Sequence, residues 1–145
     1  NIINTNGIKP QHIRLELTES AIFDDFNMVI NNMEKFNKSG IKFYLDDFGT
    51  GYSNLERIIG CPFYTIKFDK SLLYKSIDNS AVSDIVSHLT SVFKKQGFVL
   101  LIEGVENDEQ ADYSINKGFD YIQGYKYAKP QPVIKLREYF NKATA

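Results

Sequence analysis

Two adjacent carboxylates, Asp46 and Asp47, open the most unusual string in this sequence. The string reads Asp-Asp-Phe-Gly-Thr-Gly-Tyr-Ser-Asn-Leu over residues 46–55 and follows an alternating apolar run at residues 41–45. Adjacent carboxylates repel each other, so a pair held together in a folded protein needs a cation nearby. The glycines that follow allow a sharp backbone path at the mouth of a pocket. The string therefore indicates half of a metal site.

Further polar side chains end other strand-like segments of the chain. Glu16, Asp46, Lys67, Glu103 and Gln123 each fall at or near the carboxyl end of a different segment. Glu16, Lys67 and Glu103 also alternate with apolar neighbours, so they can face one side of a sheet while those neighbours pack on helices. A single carboxylate of this kind is more often a salt-bridge partner or a strand-end surface residue. Five such groups on five successive strands favour a shared site.

The elements that must position these groups alternate between strand and helix. Apolar segments with alternating or continuous patterns predict five strands, at residues 13–18, 41–46, 65–69, 98–102 and 121–123. Helical periodicity and capping signals predict helices between them, including one from Asn79 or Ser80 to Lys95, one from Asn107 to Gly118 and a last one from Pro132. Repeated strand–helix units form parallel sheets with right-handed crossovers.

Such a sheet is either open and doubly wound or closed into a (β/α)8 barrel. The polar strand ends favour the barrel, because barrel strands converge on one site whereas an open sheet spreads its strand ends along a line. A complete barrel needs about 250 residues, and this chain has 145. We therefore expect an α/β fold that forms the C-terminal part, about five βα units, of a TIM-type barrel.

The composition narrows the range of partners and compartments. A net charge of -1 argues against a nucleic-acid polymer as a partner, because proteins that bind one carry a basic patch. The single cysteine, Cys61, excludes an internal disulfide and fits a reducing compartment. No apolar run reaches the roughly 18–20 residues of a membrane span, and no signal peptide is visible. We expect a cytoplasmic segment without membrane contact, in a parent protein that can itself be membrane-tethered.

In their order along the chain, these motifs resemble those of the EAL-domain family of cyclic di-GMP phosphodiesterases. The matching segments are Glu16-Leu17-Thr18-Glu19-Ser20, the string at 46–53, Ile66-Lys67-Phe68-Asp69, Glu103-Gly104-Val105-Glu106 and Gln123-Gly124-Tyr125. The resemblance covers almost the whole chain, and the 46–53 string is its most specific part. It implies that residues 1–145 are a partial EAL domain on a modified (β/α)8 barrel.

The resemblance also implies a hydrolase with two divalent cations, Mg²⁺ or Mn²⁺. Asp46 would bridge the two ions, Glu16 would bind the first, and Asp47 and Glu103 would bind the second. Hard oxygen ligands suit hard cations of this kind. The implied reaction is hydrolysis of one phosphodiester bond of cyclic di-GMP to give the linear dinucleotide.

Other residues receive supporting roles from the same resemblance. Lys67 would hold the nucleophilic water or a phosphate oxygen, Glu103 would help to take the proton of that water, and Gln123 would orient water or substrate. Glu19 would tether the loop at 49–53, which in this family couples the site to dimerisation. The alternative for Glu19 is a first-turn helix carboxylate stabilised by the helix dipole.

The family pattern is not complete in this chain. The Glu-Ala-Leu motif and an Asn-bearing strand, which supply further ligands to the first metal, both belong before Asn1. We therefore expect a chain that is weakly active or inactive alone, and that either self-associates, for example as a homodimer, or retains the preceding strands of the barrel. Sensor or cyclase domains are expected upstream in the parent. A non-catalytic cyclic di-GMP receptor or protein-interaction module and an unrelated metal-dependent barrel enzyme are the alternatives.

Overall fold

A parallel sheet of five strands forms the centre of the fold. The computed structural model describes residues 2–22, 26–51 and 54–137. The strands are β1 (Arg14–Thr18), β2 (Lys42–Phe48), β3 (Thr65–Phe68), β4 (Val99–Ile102) and β5 (Tyr121–Ile122). Four of the predicted segments contain an observed strand, and β2 extends two residues beyond the predicted segment at 41–46.

The order of the strands in the sheet is their order in the chain, β1-β2-β3-β4-β5, and all neighbours are parallel. A doubly wound sheet reverses its strand order at a switch point, whereas a barrel adds each new strand beside the last one. The sequential order therefore confirms the barrel-type arrangement over the open sheet. It also leaves β1 and β5 as the two edges of the described sheet.

Helices connect the strands. They are α1 (Ile2–Thr5), α2 (Phe26–Lys38), α3 (Leu55–Gly60), α4 (Lys70–Asp78), α5 (Ser80–Lys95) and α6 (Asp108–Asn116), with 3-10 turns at Pro10–His12 and Glu19–Ile22. Residues 133–137 are also helical, and the rest of the predicted last helix lies outside the described residues. No helix in the described parts of the chain is both long and apolar enough to span a membrane.

Asparagine caps confirm two of the predicted helix starts. The Asn79 side chain accepts hydrogen bonds from the backbone N–H groups of Ala81 and Val82 at the start of α5. Asn107 accepts one from Gln110 at the start of α6. Such caps satisfy backbone donors that the first turn of a helix leaves without a partner. Both helices therefore begin where their capping residues predict.

The hydrophobic core lies on one face of the sheet, against the helices. Alternate strand residues on that face are buried: Phe43, Leu45, Ile66, Phe68, Leu100 and Ile102 are each at most 5% exposed. Phe93 of α5 packs edge-on against Phe48, Phe68 and Phe98, with ring centroids 5.3, 6.2 and 5.9 Å away. Because strand side chains alternate between the two faces, this packing turns the intervening residues, including Lys67, to the other face.

Replacing Phe93 with Ala should destabilise the fold strongly, because its ring is fully buried among three others. We expect a loss of about 3–5 kcal/mol in the free energy of unfolding, measured by urea denaturation. Phe36→Ala is the matched control, since this α2 ring is 47% exposed and should lose only about 1 kcal/mol. Equal losses in the two variants would contradict this description of the core.

Candidate active site

Lys67 lies at the centre of a group of carboxylates. Its Nζ is 2.7 Å from Asp46 Oδ1, 2.9 Å from Glu103 Oε1 and 3.1 Å from Glu16 Oε1. These side chains come from β1, β2, β3 and the residue that follows β4. The structure thus brings together four polar groups that the sequence places at four separate strand ends.

The electrostatic environment keeps Lys67 charged. Burial of the side chain, which is 8% exposed, acts to lower its pKa. Hydrogen bonds to Asp46, Glu103 and Glu16 act in the opposite direction and prevail, so the pKa lies above its ordinary value. Lys67 is therefore an ammonium ion across the physiological pH range.

An irregularity in β2 brings Asp47 to the same place as Asp46. Leu45 pairs with Ile66 and Phe48 pairs with Phe68, so two residues of β2 stand opposite the single Lys67. Asp47 has a φ of 55°, and among the described residues it alone combines a positive φ with a side chain. A bulge with this geometry redirects a side chain that regular alternation would turn to the other face.

A tight turn follows this bulge. The backbone N–H and the hydroxyl of Thr50 both donate to the carbonyl oxygen of Asp47, at 3.2 and 2.9 Å. Gly49 has a φ of 96° inside the turn, and a Cβ at this position would lie 2.8 Å from Leu72 Cδ2. Gly49, the first glycine of the Gly-x-Gly part, therefore allows the sharp backbone path that the sequence predicts. Tyr52 and Ser53 of the same string lie outside the described residues.

The donor set fits a hard divalent cation. Asp46, Asp47 and Glu103 each offer a carboxylate oxygen, and these oxygens lie within 4.8 Å of one another. Glu16 adds a fourth carboxylate through its contact with the Lys67 ammonium, so the carboxylates of the described site outnumber its lysine by three. Oxygen-only donors with surplus negative charge are the ligands that Mg²⁺, Mn²⁺ and Ca²⁺ take in proteins.

Gln123 lies beside this group rather than within it. It lines a cavity of about 510 Å³ together with Glu103, Glu106, Tyr125 and Lys129. Gln123 can therefore act on a molecule that fills this cavity, next to the Glu103 carboxylate. Glu106, the last residue of the matching segment at 103–106, also lines this cavity.

Glu19 occupies a different position from the other predicted site residues. It begins the 3-10 turn Glu19–Ile22 directly after β1 and is only 6% exposed. Such burial is unusual for a first-turn carboxylate, which is normally solvated. The loop that Glu19 is predicted to tether includes residues 52 and 53, which are not described, so tethering stays a prediction.

Backbone hydrogen bonds join the segments that carry Glu103 and Gln123. Val105 N–H donates to the carbonyl oxygen of Gln123 at 3.1 Å, and Lys126 N–H donates to that of Val105 at 3.1 Å. Gly124 lies so close to this segment that an added Cβ would be 1.9 Å from the Val105 oxygen. Residue 124 must therefore be glycine, because the Val105 backbone leaves no room for a side chain.

The structure adds a supporting residue that the sequence reasoning missed. Tyr74 of α4 donates its hydroxyl hydrogen to the Gly104 carbonyl oxygen at 3.1 Å, directly after Glu103. Burial and the nearby charge of Glu106 raise the pKa of Tyr74. Asp69 could have revealed α4, because its side chain caps that helix by accepting from Ser71 N–H at 2.8 Å.

A family model for the EAL domain matches residues 1–130 of this chain. The chain belongs to the EAL domain family. The resemblance predicted from the motifs is thereby confirmed, and so is the relation of the five-stranded sheet to the TIM-type barrel of that family.

Individual relatives agree with this assignment. Cyclic di-GMP phosphodiesterase PdeL of Escherichia coli is 34% identical over 147 residues, which cover 99% of this chain and 40% of PdeL. The EAL domain of Mycobacterium smegmatis DcpA superposes with a TM-score of 0.88 at 28% identity, over 97% of this chain and 63% of that one. Bacillus subtilis YkuI, solved with its substrate c-di-GMP and calcium, superposes with a TM-score of 0.79 at 28% identity. The match covers 90% of this chain and 32% of the YkuI chain.

The chain spans less than half the length of the curated relatives that it matches. The EAL domain to which this chain belongs therefore also occurs within longer proteins.

Gly124→Ala should damage both the fold and the site, because the new methyl group would overlap the Val105 backbone. We expect a loss of about 1–3 kcal/mol in the free energy of unfolding, measured by thermal or urea denaturation. Gly60→Ala is the control, since its nearest neighbour is Phe26 Cζ at 4.0 Å. Wild-type stability in Gly124→Ala would show that Gln123 is not held as described.

Proposed function

We propose that this chain is part of an enzyme that hydrolyses one phosphodiester bond of cyclic di-GMP to the linear dinucleotide. The observation that carries the proposal is the convergence of Glu16, Asp46, Asp47 and Glu103 around Lys67 in a chain of the EAL family. Relatives support the substrate, because PdeL is named a cyclic di-GMP phosphodiesterase and YkuI was solved with c-di-GMP.

The metal part of the proposal assigns two Mg²⁺ or Mn²⁺ ions to the carboxylates. Asp46 would be shared between the ions, Glu16 would bind one of them, and Asp47 and Glu103 would bind the other. The YkuI structure supports a divalent cation at such sites, since it contains calcium together with c-di-GMP. The ions would neutralise the charge of the phosphate during its reaction.

The remaining steps fall to side chains of this chain. Lys67, as an ammonium, would donate a hydrogen bond to the attacking water or to a phosphate oxygen. The partly buried Glu103 carboxylate would accept the proton of that water, since a general base must lie within hydrogen-bond reach of it. Gln123 would orient water or substrate from the cavity wall that it shares with Glu103. Glu19 would hold the loop at 49–53 in its working position.

The context of the reaction is also a proposal. Since the chain spans less than half of its curated relatives, we take residues 1–145 as a partial domain of a longer cytoplasmic signalling protein. The preceding strands of its barrel would complete the first metal site, and sensor or cyclase domains would regulate it. The isolated chain would then be weakly active or inactive.

Turnover of cyclic di-GMP to the linear dinucleotide tests this proposal. The gene product that contains this segment should be active with Mg²⁺ or Mn²⁺ and should lose activity in EDTA. Glu103→Gln should lower kcat by about 100-fold or more, because it removes both a metal ligand and the general base. Chromatography of the products over time gives the rates.

Glu109→Gln is the matched control for this test, since Glu109 is an exposed residue of α6 away from the site. It should retain the wild-type rate. Cyclic di-GMP binding without turnover in every protein would overturn the hydrolase and favour a receptor. Equal rates for Glu103→Gln and Glu109→Gln would overturn the roles given to the site residues.

Self-association of the isolated chain is a separate expectation. β1 is an edge strand whose side chains, except that of Leu17, are exposed, and Tyr121 at the other edge is 62% exposed. Open edges of a sheet pair readily with another chain. Light scattering should therefore report a dimer or larger assembly, and a monodisperse species of 16.6 kDa would contradict the expectation.

A further inference from the structure

Lys67 lies at the position in the candidate site where a cation is needed. Its ammonium contacts Asp46 and Glu103 at 2.7 and 2.9 Å. These same two residues join Asp47 in the group whose carboxylate oxygens could hold a metal ion. The Asp46 and Glu103 carboxylates can therefore serve two cations, and one of these is carried by the chain itself.

Without any cation, the carboxylates of this site would repel one another. Glu16 lies in β1, Asp46 lies in β2 and Glu103 follows β4, and all three contact the Lys67 ammonium. Their mutual repulsion is strongest for the two less exposed groups, Asp46 at 22% and Glu103 at 20% exposure, because water screens them least. Lys67 thus counteracts a force that would separate the strand ends.

The backbone of Lys67 is fixed, while its side chain is free to change partners. Lys67 lies in β3 between Ile66 and Phe68, both 0% exposed, and its strand is paired on both sides. A lysine ammonium is a compact charge on a flexible four-carbon stem, so it can leave one acceptor for another without backbone movement. Arginine would be held more rigidly by the same carboxylates.

We propose that Lys67 is an internal counter-ion that holds the site together before metal binds, and that a divalent cation displaces its ammonium from Asp46 and Glu103. Metal binding would then free Lys67 to contact the substrate phosphate, so that the lysine is available only when the metal is present. This inference rests on the metal-binding part of the proposed function and adds a competition between the two cations.

Mn²⁺ binding and metal-free stability of the gene product that contains this segment test the competition. Lys67→Met keeps most of the stem and removes the charge. In EDTA its unfolding midpoint should fall by roughly 4–10 °C, because the carboxylates lose their counter-ion. Its Kd for Mn²⁺, measured by titration calorimetry, should tighten by about tenfold or more, because the competing cation is gone. Added Mn²⁺ should raise its midpoint more than that of the wild type.

Two variants make the result specific to the position and charge of Lys67. Lys94→Met removes another lysine that forms an ion pair, with Asp120 at 2.9 Å, on the surface, and it should match the wild type in Mn²⁺ affinity. Lys67→Arg keeps the charge and should not tighten Mn²⁺ binding.

Each result decides the matter. Unchanged or weaker Mn²⁺ binding by Lys67→Met, beside measurable binding by the wild type, would overturn the competition and leave the metal site intact. Mn²⁺ binding by Lys67→Met but not by the wild type would support the competition. Folding of Lys67→Met only in the presence of Mn²⁺ would also support the competition. Failure of Lys67→Met to fold even with Mn²⁺ would overturn it. Absence of Mn²⁺ binding in every variant would overturn this inference together with the proposed metal site.

Discussion

Repulsion between carboxylates is the constraint on which the arrangement of this molecule depends. A parallel sheet with polar strand ends gathers like charges at one edge, and only a cation can make that favourable. Lys67 supplies one from β3, the middle strand of the five, within reach of the strands on either side. Neighbouring strands are about 4.8 Å apart, so the long side chains of Lys67 and Glu16 together close the gap between β3 and β1. The strand order therefore matters to the site, because it places the lysine in the middle strand, where it can contact carboxylates from the other strands.

The bulge in β2 also helps to bring the carboxylates together. Regular alternation would send one of two consecutive aspartates to the apolar face, where Leu45 and Phe48 are buried. The left-handed backbone of Asp47 and the two-against-one register opposite Lys67 avoid this outcome. Strained backbone at a functional site is stable only when its surroundings hold it. Here the turn to Thr50 and the buried Phe48 ring do so.

Local patterns in the sequence were sufficient to predict the strands and the residues at their ends. Alternation identified Glu16, Lys67 and Glu103 as polar groups on the face away from the helices, and the caps Asn79 and Asn107 located two helix starts. The contacts of Lys67 with three carboxylates depend on the register between strands, which no single segment encodes. Helix α4 was not predicted, because Asp69, which caps it, was assigned to the end of the preceding strand. The position of Gln123 beside the cavity, rather than among the carboxylates, depends on the loop at 103–105, whose path only the tertiary structure shows.

The hydrogen bonds that join Val105 to Gln123 and Lys126 have a consequence for sequence change. They make the segments after β4 and β5 a single block, in which the spacing from Glu103 to Val105 and from Gln123 to Lys126 is fixed. An inserted or deleted residue in either span would move the Glu103 carboxylate and the Gln123 amide out of register with each other. Length variation among relatives should therefore accumulate in the exposed stretch after Lys126 and spare these two spans, even though both are loops.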